Sequence, residues 1–193
     1  MLDTHARKYV EPMIKLAANG LNKLGFSANQ VTVLALIIGI FSGVLVYFEQ
    51  PYLALMFLWM SGFLDAVDGT MARFHQPSPW GTVMDVTFDR LVEISIILGL
   101  AFRFPEAALA LLLLSVSIII SMTVFLTVGA VSEKKGQKSF YYQAGLAERT
   151  EGFIMFSLMI IVTGYLVPIT LVFLSMIIFT AIQRLLEAKR ILD

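Results

Sequence analysis

The chain has 193 residues, 58% of them hydrophobic, with 14 basic and 14 acidic side chains and no cysteine. That apolar share exceeds the roughly 45 to 50% usual for soluble domains and marks an integral membrane protein. A net charge of zero offers no global attraction to nucleic acid, and the lack of cysteine excludes a disulfide framework or thiolate metal site while leaving the redox compartment undetermined.

The first 24 residues, MLDTHARKYVEPMIKLAANGLNKL, mix polar and apolar side chains and lack the continuous apolar run of a cleavable signal peptide. Val10, Ile14, Ala17, Ala18 and Leu21 recur at helical spacing, while Arg7, Lys8, Lys15 and Lys23 can face lipid headgroups. This pattern predicts an interfacial amphipathic helix, with a plain leader to the first span as the alternative. Six apolar segments follow, each near the ~20 residues that cross a ~30 Å hydrocarbon core. The predicted spans are 30–48, 52–74, 80–103, 107–130, 146–166 and 169–187. Breaks between them carry turn residues: Glu49, Gln50 and Pro51; Pro77, Ser78 and Pro79; Pro105; the run from Ser132 to Gln143; and Pro168 after a hinge candidate at Gly164. The expected fold is therefore an all-α integral membrane protein with six transmembrane helices. It is organised as one domain, 1–193, with a juxtamembrane helix in 1–26 and the six-helix bundle in 27–193.

Six spans put both termini on one side. If the termini and the second-to-third and fourth-to-fifth connections are cytoplasmic, 13 of the 14 Lys and Arg are inside and only Arg103 is outside. The positive-inside rule then predicts cytoplasmic termini in a cell membrane. The chain shows no repeat at a fixed period.

Four aspartates interrupt this apolar background. Asp65 and Asp68 sit at i and i+3 near the cytoplasmic end of the second span, and with Gly69 and Ala72 they form one helical stripe. Gly81, Asp85 and Asp89 recur every four residues at the start of the third span, a second acidic stripe. Antiparallel neighbours can bring the two together. A lone ionised Asp at the centre of a membrane helix costs roughly 2.5 to 3.5 kcal/mol on insertion scales, and four unpaired carboxylates would repel one another. Divalent cations remove both problems, and an all-oxygen site suits Mg²⁺ or Mn²⁺. The alternative is solvated interface acids, or acids paired with Arg73 and Arg90. Gly69 lies one turn from Arg73, so a diphosphate could approach the backbone beside a guanidinium, although close helix packing also explains a glycine there. Packing is the reading for Gly39 and Gly43.

The pattern Asp65-x-x-Asp68-Gly69-x-x-Ala72-Arg73, then Gly81-x-x-x-Asp85-x-x-x-Asp89, resembles the signature of the CDP-alcohol phosphotransferase family. The turn between Arg73 and Gly81 is about one residue shorter than in the usual pattern. Ser27-Ala28-Asn29-Gln30-Val31-Thr32 is similar to the Thr-Pro-Asn-x-Leu-Thr stretch that opens the first span in many members, with Ala28 in place of proline. Ser27 and Asn29 are equally ordinary helix N-caps. The resemblance implies phosphatidyl transfer: an alcohol attacks the lipid-bearing phosphorus of a CDP-linked lipid, expected to be CDP-diacylglycerol, and CMP leaves. It further implies that Asp65, Asp68 and Asp85 ligate metal in a two-metal site. Asp89 would be the general base with a second contact to metal, Gly69, Ala72, Arg73 and Gly81 would form the nucleotide pocket with Asn29 and Thr32, and the enzyme would be a homodimer.

For the acceptor, Lys134, Lys135, Lys138 and Arg149 gather on the side of the acids, as an anionic alcohol such as inositol phosphate or glycerol phosphate would require; the positive-inside rule alone also accounts for them. Ala147-Glu148-Arg149-Thr150-Glu151 is similar to the stretch opening the fifth span in members that use inositol phosphate, with Gly152 standing where a second Arg is expected. Tyr141 and Tyr142 fit interfacial anchors. His5 and His75 lack ligand-spaced partners, so Ser-His-Asp chemistry has no support. A divalent-cation transporter or channel is the competing class, because intramembrane acids also mark ion pathways. Against it stand the missing repeats and the clustering of the acids at one interface.

Overall fold

The structure is a computed structural model that describes residues 2–75, 78–131 and 145–192, without the side chains of residues 2–9 and 75. Lys134, Lys135, Lys138, Tyr141 and Tyr142 lie outside the described residues, as do the side chains of Arg7, Lys8, His5 and His75. The described residues form seven α-helices: α1 (Leu2–Lys23), α2 (Ala28–Tyr47), α3 (Pro51–His75), α4 (Pro79–Arg103), α5 (Ala108–Val131), α6 (Arg149–Ile161) and α7 (Leu166–Leu192). Single 3₁₀ turns, Pro105–Ala107 and Thr163–Tyr165, precede α5 and α7. Four segments are long and apolar enough to cross a bilayer: α2, most of α3, the turn with α5, and the turn with α7. Of the other two expected spans, α4 has the length, at 25 residues, but carries Asp85, Asp89, Arg90 and Glu93. α6 has only 13 residues.

The prolines explain most boundaries. Pro51 and Pro79 occupy the first helical position of α3 and α4, where the missing N–H has no partner to lose. Pro168 was expected at the last break, but it lies in the first turn of α7 for the same reason. The break itself falls at Val162, before a 3₁₀ turn that contains Gly164, the expected hinge residue.

The chain divides into two compact units, Thr4–Pro105 and Glu106–Asp193 with Met1–Asp3. In the first, α2 is the central helix. Ser61 and Ser42 donate hydrogen bonds across the α2–α3 contact, to the carbonyls of Ala35 (2.7 Å) and Ala54 (2.8 Å) respectively. α2 also meets α4 through Gly39 and Gly43, as expected of packing glycines: a Cβ on either would collide with Val92 or with the Ser95 backbone. The apolar stripe of α1 is present, but Ile14 and Ala18 bury themselves against Val31, Val67 and Met71 of α2 and α3 rather than facing outward. Val10 is exposed, together with Met13 and Leu16 on another side of the helix.

In the second unit α5 and α6 both pack on α7. Phe156 and Phe173, both fully buried, meet edge to face at 5.2 Å between α6 and α7. The segment before α6 is tied down by Thr180, whose hydroxyl accepts the Ala147 N–H at 2.8 Å.

Candidate functional site

Burial of Val67 and Met71 against α1 and α2 fixes the rotation of α3 and turns its Asp65–Asp68 stripe to another side of the helix. Asp65, Asp68 and Asp85 converge: each offers one carboxylate oxygen, and the three oxygens lie within 4.8 Å of one another. Asp68 is the deepest, at 5% exposure, while Asp65 and Asp85 are half-buried. The donor set is all oxygen and anionic. Opposite ligands of an octahedral Mg²⁺ stand about 4.2 Å apart, so sub-ångström closure would let one hard divalent cation span the group. The residues fit such an ion. Asp89, the fourth expected ligand, is half-buried one turn further along α4 and is not part of this close group.

The glycines beside the acids differ from the packing glycines. At Gly69 a Cβ would meet only the Arg73 Nη1, at 3.9 Å, so the α3 backbone is open to a ligand on that side. Arg73 is held near this opening by Thr70: its Nη2 donates to the Thr70 hydroxyl at 2.8 Å, and that hydroxyl donates to the Ala66 carbonyl at 3.0 Å. Ala72 is half-buried. At Gly81 a Cβ would stand 3.0 Å from the Ser78 Oγ and 3.4 Å from the Asn29 Oδ1, so the amide of Asn29 reaches the first turn of α4. Ser78 caps α4 by accepting the Gly81 N–H at 2.9 Å.

The two readings of the Ser27–Thr32 stretch separate. Ser27 is the N-cap of α2 in a capping box, accepting from the Gln30 N–H (3.3 Å) while the Gln30 side chain accepts from the Ser27 N–H (2.9 Å). Asn29 is left to face Gly81. Thr32 is buried, and its hydroxyl donates to the Ala28 carbonyl at 3.0 Å, a bond internal to the helix.

In the other unit Arg149 opens α6, with its guanidinium carbon over the Phe153 ring, 5.8 Å from the ring centre. Three polar residues escaped the sequence reading. Arg184 is buried in α7, over the Phe125 ring at 4.8 Å with Nη1 3.4 Å from the Ser121 Oγ. A cation inside the apolar run SMIIFTAIQRLL was the available signal. Glu93 continues the four-residue series of Gly81, Asp85 and Asp89, and it pairs with Arg90 at 2.7 Å. Thr70 carried no signal of its own.

A family described as CDP-alcohol phosphatidyltransferase has a model that matches residues 26–184. The chain is 30% identical to an archaetidylinositol phosphate synthase of Pyrococcus horikoshii, over all of this chain and 99% of that protein. It is 28% identical to the inner membrane protein YnjF of Escherichia coli, over 82% of this chain and 81% of that one. Among solved structures, it superposes on the Mycobacterium tuberculosis phosphatidylinositol phosphate synthase with CDP-DAG bound, with a TM-score of 0.77 at 20% identity over 92% of this chain and 94% of that one. The same protein in complex with manganese and citrate gives a TM-score of 0.75 at 20% identity, over 91% of this chain and 88% of that one. At that identity the likeness speaks for the fold.

Proposed function

The chain belongs to the CDP-alcohol phosphatidyltransferase family, and from that premise we propose that it transfers a phosphatidyl group from CDP-diacylglycerol to a phosphorylated alcohol at the Asp65–Asp68–Asp85 cluster. The observation that carries this reading is the convergence of those three carboxylates beside the open backbone of Gly69. Asp65, Asp68 and Asp85 would hold divalent metal, Mg²⁺ or Mn²⁺, which when bound neutralises the diphosphate and stabilises charge on the departing CMP. Gly69 admits the diphosphate to the α3 backbone, and Arg73 supplies a planar, permanently charged fork to its oxygens. Gly81, Asn29 and Ala72 shape the nucleotide side of the pocket, with Thr32 supporting the start of α2. Asp89 takes the proton of the attacking hydroxyl, a role suited to an acid outside the close ligand group.

Inositol phosphate is the favoured acceptor, with glycerol phosphate second. The relatives named archaetidylinositol phosphate synthase and phosphatidylinositol phosphate synthase support this, as does the likeness of Ala147–Glu151, with Arg149, to the stretch found in members that use inositol phosphate. All six helices α2–α7 cross the membrane, both termini and the site face the cytoplasm, and the enzyme works as a homodimer; the distribution of Lys and Arg supports the orientation.

Purified protein with CDP-diacylglycerol, Mg²⁺ or Mn²⁺ and either inositol phosphate or glycerol phosphate should release CMP above the blank without acceptor, and a chelator should stop it. No metal-dependent CMP release with any phosphorylated alcohol, together with cation flux in sealed liposomes, would sink the proposal in favour of a transporter.

A further inference from the structure

We infer that Thr70 is a positioning residue that holds the Arg73 guanidinium in its diphosphate-binding pose; the inference rests on the role of Arg73 given above. Position 70 is one of the two unspecified places in Asp68-Gly69-x-x-Ala72-Arg73, so the signature assigns it nothing. Its hydroxyl is committed in both directions. The proton goes to the Ala66 carbonyl at 3.0 Å, one turn back, which orients the oxygen lone pairs so that one accepts the Arg73 Nη2 at 2.8 Å. Thr70 is 6% exposed, so water competes poorly for that oxygen, whereas Arg73 reaches the surface.

The bond sets where the fork stands. With Nη2 tied to Thr70, Nη1 lies 3.9 Å from the place a Cβ on Gly69 would take, beside the opening in the α3 backbone. An arginine has many rotamers, and fixing one before the ligand arrives removes part of the ordering cost of binding. The β-branched side chain helps, because few χ1 rotamers are open to threonine in a helix and its hydroxyl can bond the carbonyl one turn back. A hydroxyl-free residue at 70 would leave the same arginine with the same charge and without the hydrogen bond that places Nη2.

The test uses the full chain in detergent with Mn²⁺, measuring CDP affinity by calorimetry and the KM and kcat for CDP-diacylglycerol. Thr70→Val keeps the shape and removes the hydroxyl. It should weaken CDP binding and raise the CDP-diacylglycerol KM by about 3- to 10-fold, the net scale of one ordinary hydrogen bond, with kcat within about twofold. Thr70→Ser should restore both. In an Arg73→Ala background, Thr70→Val should add nothing. Should Thr70→Val fail to fold, Thr70→Ala carries the same expectation. Unchanged CDP binding in Thr70→Val while Arg73→Ala loses it would overturn the inference, as would an equal effect of Thr70→Val with and without Arg73. Unchanged CDP binding in Arg73→Ala would overturn the role of Arg73 itself, and the inference with it.

Discussion

Gly43 of α2 lies against the backbone of Ser95 in α4 so closely that a Cβ on Gly43 would overlap the Ser95 carbonyl. Gly99 returns the contact, since a Cβ there would overlap the Gly43 carbonyl. No side chain separates the two helices at this level. With the Ser42 and Ser61 bonds joining it to α3, α2 fixes the distance between the helix that carries Asp65 and Asp68 and the one that carries Asp85.

Gly43→Ala should therefore cost about 1 to 3 kcal/mol, the usual penalty of overpacking, because it meets backbone that cannot rotate away. Gly39→Ala should cost less, since the atoms it meets belong to the Val92 and Ser61 side chains. Gly20→Ala faces open space in α1 and should stabilise by up to about 1 kcal/mol. Thermal unfolding in detergent ranks the three, and a Gly43→Ala protein as stable as the parent would refute the strut role of α2.

Asp89→Asn and Asp68→Asn should fail in different ways. The first keeps the three-carboxylate group and so keeps metal-dependent CDP binding, while turnover falls by about 10² to 10⁴, the usual contribution of a positioned base. The second should lose both. Full turnover by Asp89→Asn would remove it from the role of base.

Arg149→Ala should raise the KM of the phosphorylated acceptor several-fold and leave that of CDP-diacylglycerol unchanged. Equal effects on both would make Arg149 structural. Arg184→Lys tests a different property, because lysine lacks the planar group that lies over Phe125. It should lower thermal stability, and an unaltered melting curve would count against that buried pose.

The chain contains no native cysteine, so single reporters are clean. A cysteine at Gln50 should react with an impermeant reagent from outside, and one at Lys23 only from inside. Labelling of position 23 in intact cells would reverse the proposed orientation.

The acidic site was the most legible part of the sequence. Asp65, Asp68 and Asp85 are few, charged and periodic in an apolar background, so helix geometry alone nearly places them. Helix limits came within about two residues for α2–α4, where proline marks the start of α3 and α4. The α6–α7 boundary was missed because proline in a first turn and proline at a break read alike in sequence; only the backbone at Val162 distinguishes them. The direction of the α1 stripe was also hidden. Ile14 and Ala18 have the same periodicity whether lipid or a neighbouring helix covers them, and the partners Val31, Val67 and Met71 are tertiary information. Thr70 was invisible because its role is a side-chain direction, not a pattern.

The shortness of α6 has a consequence for the bilayer itself. Its 13 residues span about 20 Å at 1.5 Å per residue, against a hydrocarbon layer of about 30 Å. If α6 crosses the membrane as proposed, a helix that short leaves a mismatch, met either by a locally thinned leaflet or by water drawn down to the helix start. Both outcomes give Arg149 an aqueous approach below the average headgroup plane. Under the proposed function that approach would serve a soluble, charged alcohol that meets Arg149, and thicker membranes should raise the acceptor KM by closing it.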